Sequence, residues 1–313
     1  MSPTILVAGA TGNTGQNTVA TLSRLLSSGA LPGHRVIALT RSAEAQAAQQ
    51  LAALPGVEVV EKNWVGITAD WLREHHVVRA FIAPHTHSNQ FPEESAFHLA
   101  CLRAGVQYVV RISTTAANVR PDCPAYYARQ HWAIETMLGT PEFAALQWTS
   151  LQPNSFTNFV VQPAVEFIKK YRETGKQDTL RLVVSPDALV GIIHPDDVGA
   201  VAGRLLAQEN TAPHNKARYI LNGPEDVTGE QIVRLVEEYI GTRVESVAYK
   251  DVSFVDYWAA ASTESKPIVL SVKHAMDILW EGKCSVATTS KEVLELAPPT
   301  RTPADVLKAL LEQ

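Results

Sequence analysis

Short apolar runs alternate with longer stretches of helical periodicity through the first half of the chain, and that alternation predicts parallel β-α-β units. Strands are expected at residues 5–8, 35–40, 57–60, 77–83, 107–112 and 147–151. Helices are expected at about 14–27, 93–104 and 124–138. The alternation then loosens. Residues 154–187 hold an amphipathic helical stretch (Val165, Phe167, Ile168, Tyr171) and a hairpin-like segment. A short strand at 192–197 leads into a helix at 198–207 that returns to the main sheet, and residues 219–221 form another strand. Thr228 is placed to cap a further helix, and the remainder to Gln313 alternates short strands and helices.

This pattern specifies an α/β fold: a Rossmann-type doubly wound parallel sheet with a smaller C-terminal α/β substrate lobe. The division is residues 1–153 for the dinucleotide-binding core, completed by about 190–222, with 154–189 and 223–313 forming the lobe.

Between the first strand and its helix lies Gly9-Ala10-Thr11-Gly12-Asn13-Thr14-Gly15. Gly9 permits a sharp turn, Gly12 lets backbone approach a pyrophosphate, and Gly15 allows close helix packing. The helix N-terminus then offers free N–H groups to the anion. A merely structural turn is the alternative, but the strand–loop–helix context favours a dinucleotide site. An NAD site usually ends the second strand with an acid that accepts from the ribose 2′-hydroxyl. Here the strand ends Thr40-Arg41-Ser42, with no acid until Glu44. Arg41 suits a 2′-phosphate, which a carboxylate would repel, so the expected cofactor is NADP, with Ser42 beside it. The alternative is a solvated surface arginine.

Composition narrows the picture modestly. The 313 residues are 46% hydrophobic and 19% charged, with a net charge of -5, so no basic surface for nucleic acid is expected. Three scattered cysteines (Cys101, Cys123, Cys284) argue against a disulfide framework or a zinc site. No long apolar run suggests a membrane span, and a cytoplasmic location is expected.

With Thr40-Arg41, the glycine loop resembles that of the NmrA-like branch of the atypical short-chain dehydrogenases/reductases. The resemblance extends through Lys62-Asn63-Trp64, Leu151-Gln152-Pro153-Asn154-Ser155-Phe156-Thr157-Asn158, Ile193-His194-Pro195-Asp196-Asp197-Val198 and Tyr219-Ile220-Leu221-Asn222-Gly223-Pro224-Glu225. Gln152 stands where the pattern has arginine. The branch holds NADPH-dependent reductases of plant and fungal secondary metabolism, and redox-sensing regulators that bind NADP without turnover. The Asn-Trp after the third strand is similar to fungal alkaloid reductases of the festuclavine dehydrogenase type. The resemblance implies cofactor contacts from Gly9, Thr11, Gly12, Asn13, Thr14, Gly15, Arg41 and Ser42, and from Asn63 and Trp64 near the adenine. Ala83, Pro84 and His85 are expected under the cofactor, with Pro153, Asn154, Ser155 and Phe156 at its nicotinamide end.

Short-chain dehydrogenases typically carry Tyr-x-x-x-Lys on the helix after the fifth strand. Aligned on Ile134-Glu135, this chain has Tyr127-x-x-x-His131, preceded by Ser113, Thr114 and Thr115 at the strand's end. Residues four apart share a helix face, so Tyr127 and His131 are candidates for catalysis together with Ser113 and Thr114. Histidine could bind the ribose or relay a proton, but it lacks the permanent charge of lysine. The alternative is that Tyr127 lines a pocket and His131 caps a core hydrogen bond. His85, His87 and His98 lack a spacing that would make them a metal site. Ser113 lacks the G-x-S-x-G elbow of a hydrolase nucleophile. Lys169, Lys170 and Arg172 read as a solvated helix face.

The expected function is NADPH-dependent reduction of a small organic substrate at a C=O, C=N or conjugated C=C group, with pocket walls from Phe156, Phe159, Tyr257 and Trp258. A non-catalytic NADP-sensing regulator and a non-redox isomerase are the alternatives. The expected partner is a small molecule, with neither nucleic acid nor membrane, and a homodimer is left open.

Overall fold

A computed structural model describes residues 2–313. The strands are β1 (Thr4–Ala8), β2 (Arg35–Thr40), β3 (Val57–Glu61), β4 (Val77–Ile82), β5 (Tyr108–Ile112), β6 (Gln147–Pro153), β7 (Leu180–Leu182), β8 (Ala217–Leu221) and β9 (Val247–Tyr249). The helices are α1 (Gly15–Ser27), α2 (Gln46–Ala52), α3 (Ala69–Glu74), α4 (Gln90–Ala104), α5 (Tyr126–Leu138), α6 (Thr157–Thr174) and α7 (Pro195–Leu206). They continue with α8 (Gly229–Ile240), α9 (Phe254–Ala261), α10 (Lys266–Leu270), α11 (Asp277–Trp280), α12 (Lys291–Leu296) and α13 (Pro303–Leu311).

Seven strands form one sheet in the order β3-β2-β1-β4-β5-β6-β8, and every neighbouring pair is parallel. Strands buried on both faces need continuous apolar sequence, and β1 (Thr-Ile-Leu-Val-Ala) is buried at all five positions. One face carries α1, α7 and α12, through Val19, Leu22, Val198, Val201 and Val293. The other carries α4 and α5, through Phe97, Cys101, Ile134 and Leu138. Strand order reverses between β1 and β4, so the helices leaving them diverge and open a crevice at the strands' C-terminal ends. A third core lies outside the sheet, where Val160, Ile168, Leu180, Ile232 and Leu307 bring α6, β7, α8 and α13 together. No helix among the described residues is long and apolar enough to cross a membrane.

The structure corrects three local expectations. The segment expected to form a hairpin contributes only β7, which pairs in parallel with β9, far along the chain. Alternation along a short strand does not specify its partner. The strand expected at 192–197 reduces to one bridge between Ile193 and Phe156. Pro195 cannot donate to a ladder, and its fixed φ suits a first helical turn, so α7 starts there with His194 Nδ1 accepting from Asp196 N at 3.2 Å. Beyond residue 223, β9 is the one strand among the described residues, and the rest is mostly short helices. The Thr228 cap is a complete capping box with Gln231.

Glycines on α7 set its distance from α1. A Cβ at Gly199 would sit 2.5 Å from Thr14 O, and one at Gly203 would sit 2.7 Å from Thr21 Cγ2. Asp197, in its first turn, is buried and accepts from Arg301 Nη1 at 2.8 Å, anchoring the C-terminal segment to the same helix. Gly199→Val should force α7 off the start of α1 and cost about 1–3 kcal/mol, as overpacking does. Urea unfolding measures it; a variant as stable as the parent would show that the two helices tolerate a wider spacing.

Candidate functional site

A cleft of about 550 Å³ lies at the C-terminal ends of the sheet strands. Gly9, Thr11, Gly12, Asn13 and Thr14 line it from the loop after β1. Arg41 enters after β2, Asn63 and Trp64 after β3, and Ala83, Pro84 and His85 after β4. Ser113, Thr114, Tyr127 and His131 line the opposite side, with Pro153, Asn154, Ser155 and Phe156 at the end of β6. Of the expected cofactor contacts, Gly15 and Ser42 do not line it. Gly15 acts through packing, since a Cβ there would collide with Gly9 O and lie 2.8 Å from Ala10 Cα. Ser42 is turned back on the strand: its N–H donates to Thr40 Oγ1 at 3.2 Å, and its carbonyl accepts from that hydroxyl at 2.9 Å.

The loop's geometry follows from its glycines. Gly9 has φ +83°, a conformation that L side chains rarely adopt, and a Cβ there would press on Ala83 O at 3.1 Å. Thr14 provides no side-chain cap to α1, and the first turn has no acid. Unsatisfied N–H groups and the positive end of the helix therefore face the cleft. Arg41 is exposed at its mouth, and Lys62 lies over the Trp71 ring at 5.6 Å. His85 has a lowered pKa, first because it is partly buried and then because of the nearby Arg41 charge. The site thus combines a backbone cradle with two fixed cations, a set suited to a phosphorylated anion.

Several candidates have their side chains committed elsewhere. Asn63 Oδ1 accepts from Val65 N at 3.1 Å and caps the turn that Trp64 begins. Asn154 Nδ2 donates to Gly191 O, Asn222 Oδ1 and Cys284 O, tying β6 to the C-terminal lobe. Two buried atoms of cleft residues, Trp64 Nε1 and Ser113 Oγ, have no hydrogen-bond partner among the described residues.

On the opposite side, Tyr127 OH lies 3.2 Å from Thr114 Oγ1. Burial raises the Tyr127 pKa, and the Thr114 hydrogen bond only partly offsets it. The phenol therefore keeps its proton at neutral pH. His131 sits edge-on to it, with ring centroids 6.2 Å apart. Behind His131 is a buried network that sequence reasoning missed. Arg111 donates through Nη2 to His131 Nδ1 at 2.8 Å, through Nε to Glu94 Oε1 at 2.6 Å, and through Nη1 to Ser150 Oγ at 2.9 Å. Glu135 accepts from Ser150 Oγ at 2.7 Å, from Arg218 Nε at 2.7 Å and from Gln152 Nε2 at 3.2 Å. Burial alone would raise both carboxyls, but Arg111 and their hydrogen bonds hold Glu94 and Glu135 below the usual range. His131 is pushed down to about 3, first by burial and then by the Arg111 charge, against which Glu94 and Glu135 act. It is a neutral imidazole near pH 7, which of its expected roles suits a hydrogen bond to the ribose better than a proton relay. The available signal was Arg111 itself, a charge inside an otherwise apolar parallel strand.

Of the expected apolar walls, Phe156 and Phe159 line the cleft, but Tyr257 and Trp258 do not. Tyr257 is 76% exposed beside a separate cavity of about 470 Å³. Trp258 borders a small recess that Tyr127 also borders. The lobe instead contributes Met276, which no pattern in its segment distinguishes. Among the described residues, no group of three or more His, Cys, Asp or Glu side chains converges as a metal site. His98 is drawn into the network by Glu94 at 3.3 Å.

Fold and cleft together define a Rossmann-type α/β protein with its ligand crevice at the sheet's switch point. The chain belongs to the NmrA-like family, whose family model matches residues 1–267. No curated protein matches the sequence. Among solved structures, the NADPH complex of the NADPH-dependent quinone oxidoreductase QOR2 from Escherichia coli aligns with a TM-score of 0.73 at 18% identity, covering 98% of this chain and 99% of that one. Citrobacter sp. triphenylmethane reductase complexed with NADP(H) aligns at 0.70 and 20% identity, covering 98% and 100%. NmrA, a negative transcriptional regulator, in complex with NADP aligns at 0.63 and 15% identity, covering 99% and 91%. At these identities the likeness is one of fold.

The neutral His131 carries a pH signature. In the unfolded chain the imidazole takes up a proton near its ordinary 6.5; in the folded chain it does so only near 3. The unfolded state binds the extra proton between those values, so stability is complete above about pH 6.5 and falls as pH drops through the window. One such proton amounts to about 1.4 kcal/mol per pH unit. His131→Gln should remove close to one proton from the pH slope of the unfolding free energy between about pH 5 and about pH 6. Equal slopes in the two proteins would mean that His131 is not buried neutral.

Proposed function

We propose that this protein is an NADPH-dependent reductase of a small organic substrate with a C=O, C=N or conjugated C=C group. The observation that carries the proposal is one cleft with a glycine cradle and Arg41 on one side, and the Ser113, Thr114 and Tyr127 hydroxyls on the other. NADPH, when bound, supplies a hydride to the substrate. The loop from Gly9 to Thr14 and the start of α1 would bind the pyrophosphate, and Arg41 the 2′-phosphate. Ala83 to His85 and Pro153 to Phe156 would hold the nicotinamide end. Thr114 orients the Tyr127 phenol, and Tyr127 holds the proton that a reduced oxygen, nitrogen or carbon would need. Phe156, Phe159 and Met276 give that end of the cleft an apolar wall. A polarised C=N or C=C bond needs less proton donation as the hydride arrives, which suits a phenol without a neighbouring lysine. The quinone and triphenylmethane reductases of the same fold support acceptors of this conjugated type.

The missing lysine also favours a second reading, a regulator that binds NADP without turnover, in keeping with the NmrA complex. A panel of quinones, triphenylmethane dyes, enals, imines and ketones separates the two. NADPH consumption with any of them supports the reductase; equal binding of NADP and NADPH with no consumption replaces it by the regulator.

Arg41→Ala should weaken NADPH binding about 10- to 100-fold, as expected for charged hydrogen bonds, and leave NADH binding nearly unchanged. Equal losses for both cofactors in a titration would remove Arg41 from the 2′-phosphate. Tyr127→Phe should lower kcat about 100-fold or more on a substrate requiring protonation, with little change in NADPH affinity. An undiminished kcat would make Tyr127 a wall rather than a donor.

A further inference from the structure

We infer that His131 is locked as the Nε2–H tautomer by Arg111 and Gln90, and serves the cleft as a permanent uncharged hydrogen-bond donor to an oxygen of the cofactor ribose or the substrate. The inference takes the cleft to be the cofactor and substrate site proposed above.

The argument begins with the donors around Nδ1. Arg111 Nη2 lies 2.8 Å from His131 Nδ1, and a guanidinium nitrogen has no acceptor capacity. Nδ1 must therefore present its lone pair. Arg111 has no freedom to turn away, because Nε and Nη2 grip Glu94 at 2.6 and 3.2 Å while Nη1 reaches Ser150. One Nη2 hydrogen is used on Glu94, and the other is left for the imidazole. Gln90 Nε2 lies 3.1 Å from the same Nδ1. Its amide is oriented by donation to Glu94 Oε2 at 3.1 Å, where a flipped amide would set oxygen against carboxylate. Both neighbours of Nδ1 are donors, so the ring proton sits on Nε2.

That Nε2–H has no acceptor among the described residues. Among the described residues, its neighbour in hydrogen-bonding range is Gln90 Nε2 at 3.4 Å, which is itself a donor. His131 is 4% exposed and borders the cleft. A buried N–H without an acceptor is costly, and a ligand oxygen would relieve it. The charged and titratable groups facing the ring are Arg111 from β5, Glu94 from α4, and Glu135 and Tyr127 from its own helix. Arg111 holds a cation against Nδ1, so protonation there would place two positive groups in contact. Arg111 is thus a positioning residue: it fixes the tautomer through which His131 acts. A lysine at 131 would combine donor and charge in one group; here His131 supplies the donor and Arg111, buried behind it, the charge.

The test is nitrogen NMR on the full-length protein with 15N-labelled histidine, with the His131 signals assigned by their loss in His131→Gln. The expected result is an unprotonated Nδ1 and a protonated Nε2 that do not titrate between about pH 5 and about pH 8. An Nδ1–H tautomer, or an imidazolium forming in that range, would overturn the inference. This readout needs neither cofactor nor turnover, so it stands apart from failure of the reductase reading. In Arg111→Lys, which keeps a cation but loses the fork, the two tautomers should become mixed; an unchanged Nε2–H population would remove Arg111 from the role. His131→Leu locates the acceptor. Up to about tenfold weaker NADPH binding, the loss of one neutral hydrogen bond, places it on the cofactor. A similar loss confined to kcat/KM places it on the substrate. No loss in either, with the fold intact, overturns the donor role.

Discussion

The Arg111 guanidinium is buried in a parallel sheet, where an unpaired charge would cost several kcal/mol. It can stay there only if its donors are matched, and the matching groups come from different elements. Glu94 comes from α4, Ser150 from β6, and Glu135 and His131 from α5. Glu135 in turn takes Arg218 from β8. The sheet's end, α4 and α5 and the ring of His131 are therefore fixed by one set of mutually dependent bonds. Removing one partner would leave a buried charge uncompensated, which makes the arrangement rigid in a way that apolar packing alone is not. Tyr127 is carried on the same helix, one turn from His131, so the position of its phenol is inherited from that network.

Across the cleft the electrostatic logic is reversed. Arg41 is exposed, and the start of α1 lacks both a side-chain cap and an acid. Among the described residues these groups have no ion-pair partner, so their positive potential is available to a ligand. Gly199 and Gly203 bring α7 close against α1, and Asp197 ties the C-terminal segment to α7. The anion-binding end thus also has a rigid foundation, built mainly from small residues that let two helices approach, with the Asp197–Arg301 pair beside them.

Much of this was legible in the sequence, and what was not has a physical cause. The glycine loop, Arg41, and Ser113 through His131 could be read because local conformation and spacing determine their place. Gly9 needs its positive φ, and Tyr127 and His131 are four apart on one helix. The parallel pairing of β7 with β9 was not readable, since three-residue strands carry no record of a distant partner. Met276 enters the cleft only because the lobe folds back over it. Tyr257 and Trp258, by contrast, looked like wall residues by type, yet lie on a helix whose packing directs them elsewhere. The network escaped because its members (Gln90, Glu94, Arg111, Glu135, Gln152 and Arg218) are spread over five elements, and only tertiary structure makes them neighbours.

Placing the cation behind the imidazole also has a consequence for the direction of chemistry. A lysine beside a tyrosine lowers the phenol's pKa and makes the phenolate accessible as a base, which serves oxidation of an alcohol. Here the neighbour is an uncharged ring, the Arg111 charge is matched by Glu94 and Glu135, and burial raises the Tyr127 pKa. Phenolate is therefore scarce at neutral pH, while the protonated phenol is present in full. A site built this way is biased toward giving a proton rather than taking one. Within the proposed reaction that favours reduction, and it favours substrates whose electron deficiency draws the hydride before the proton is required.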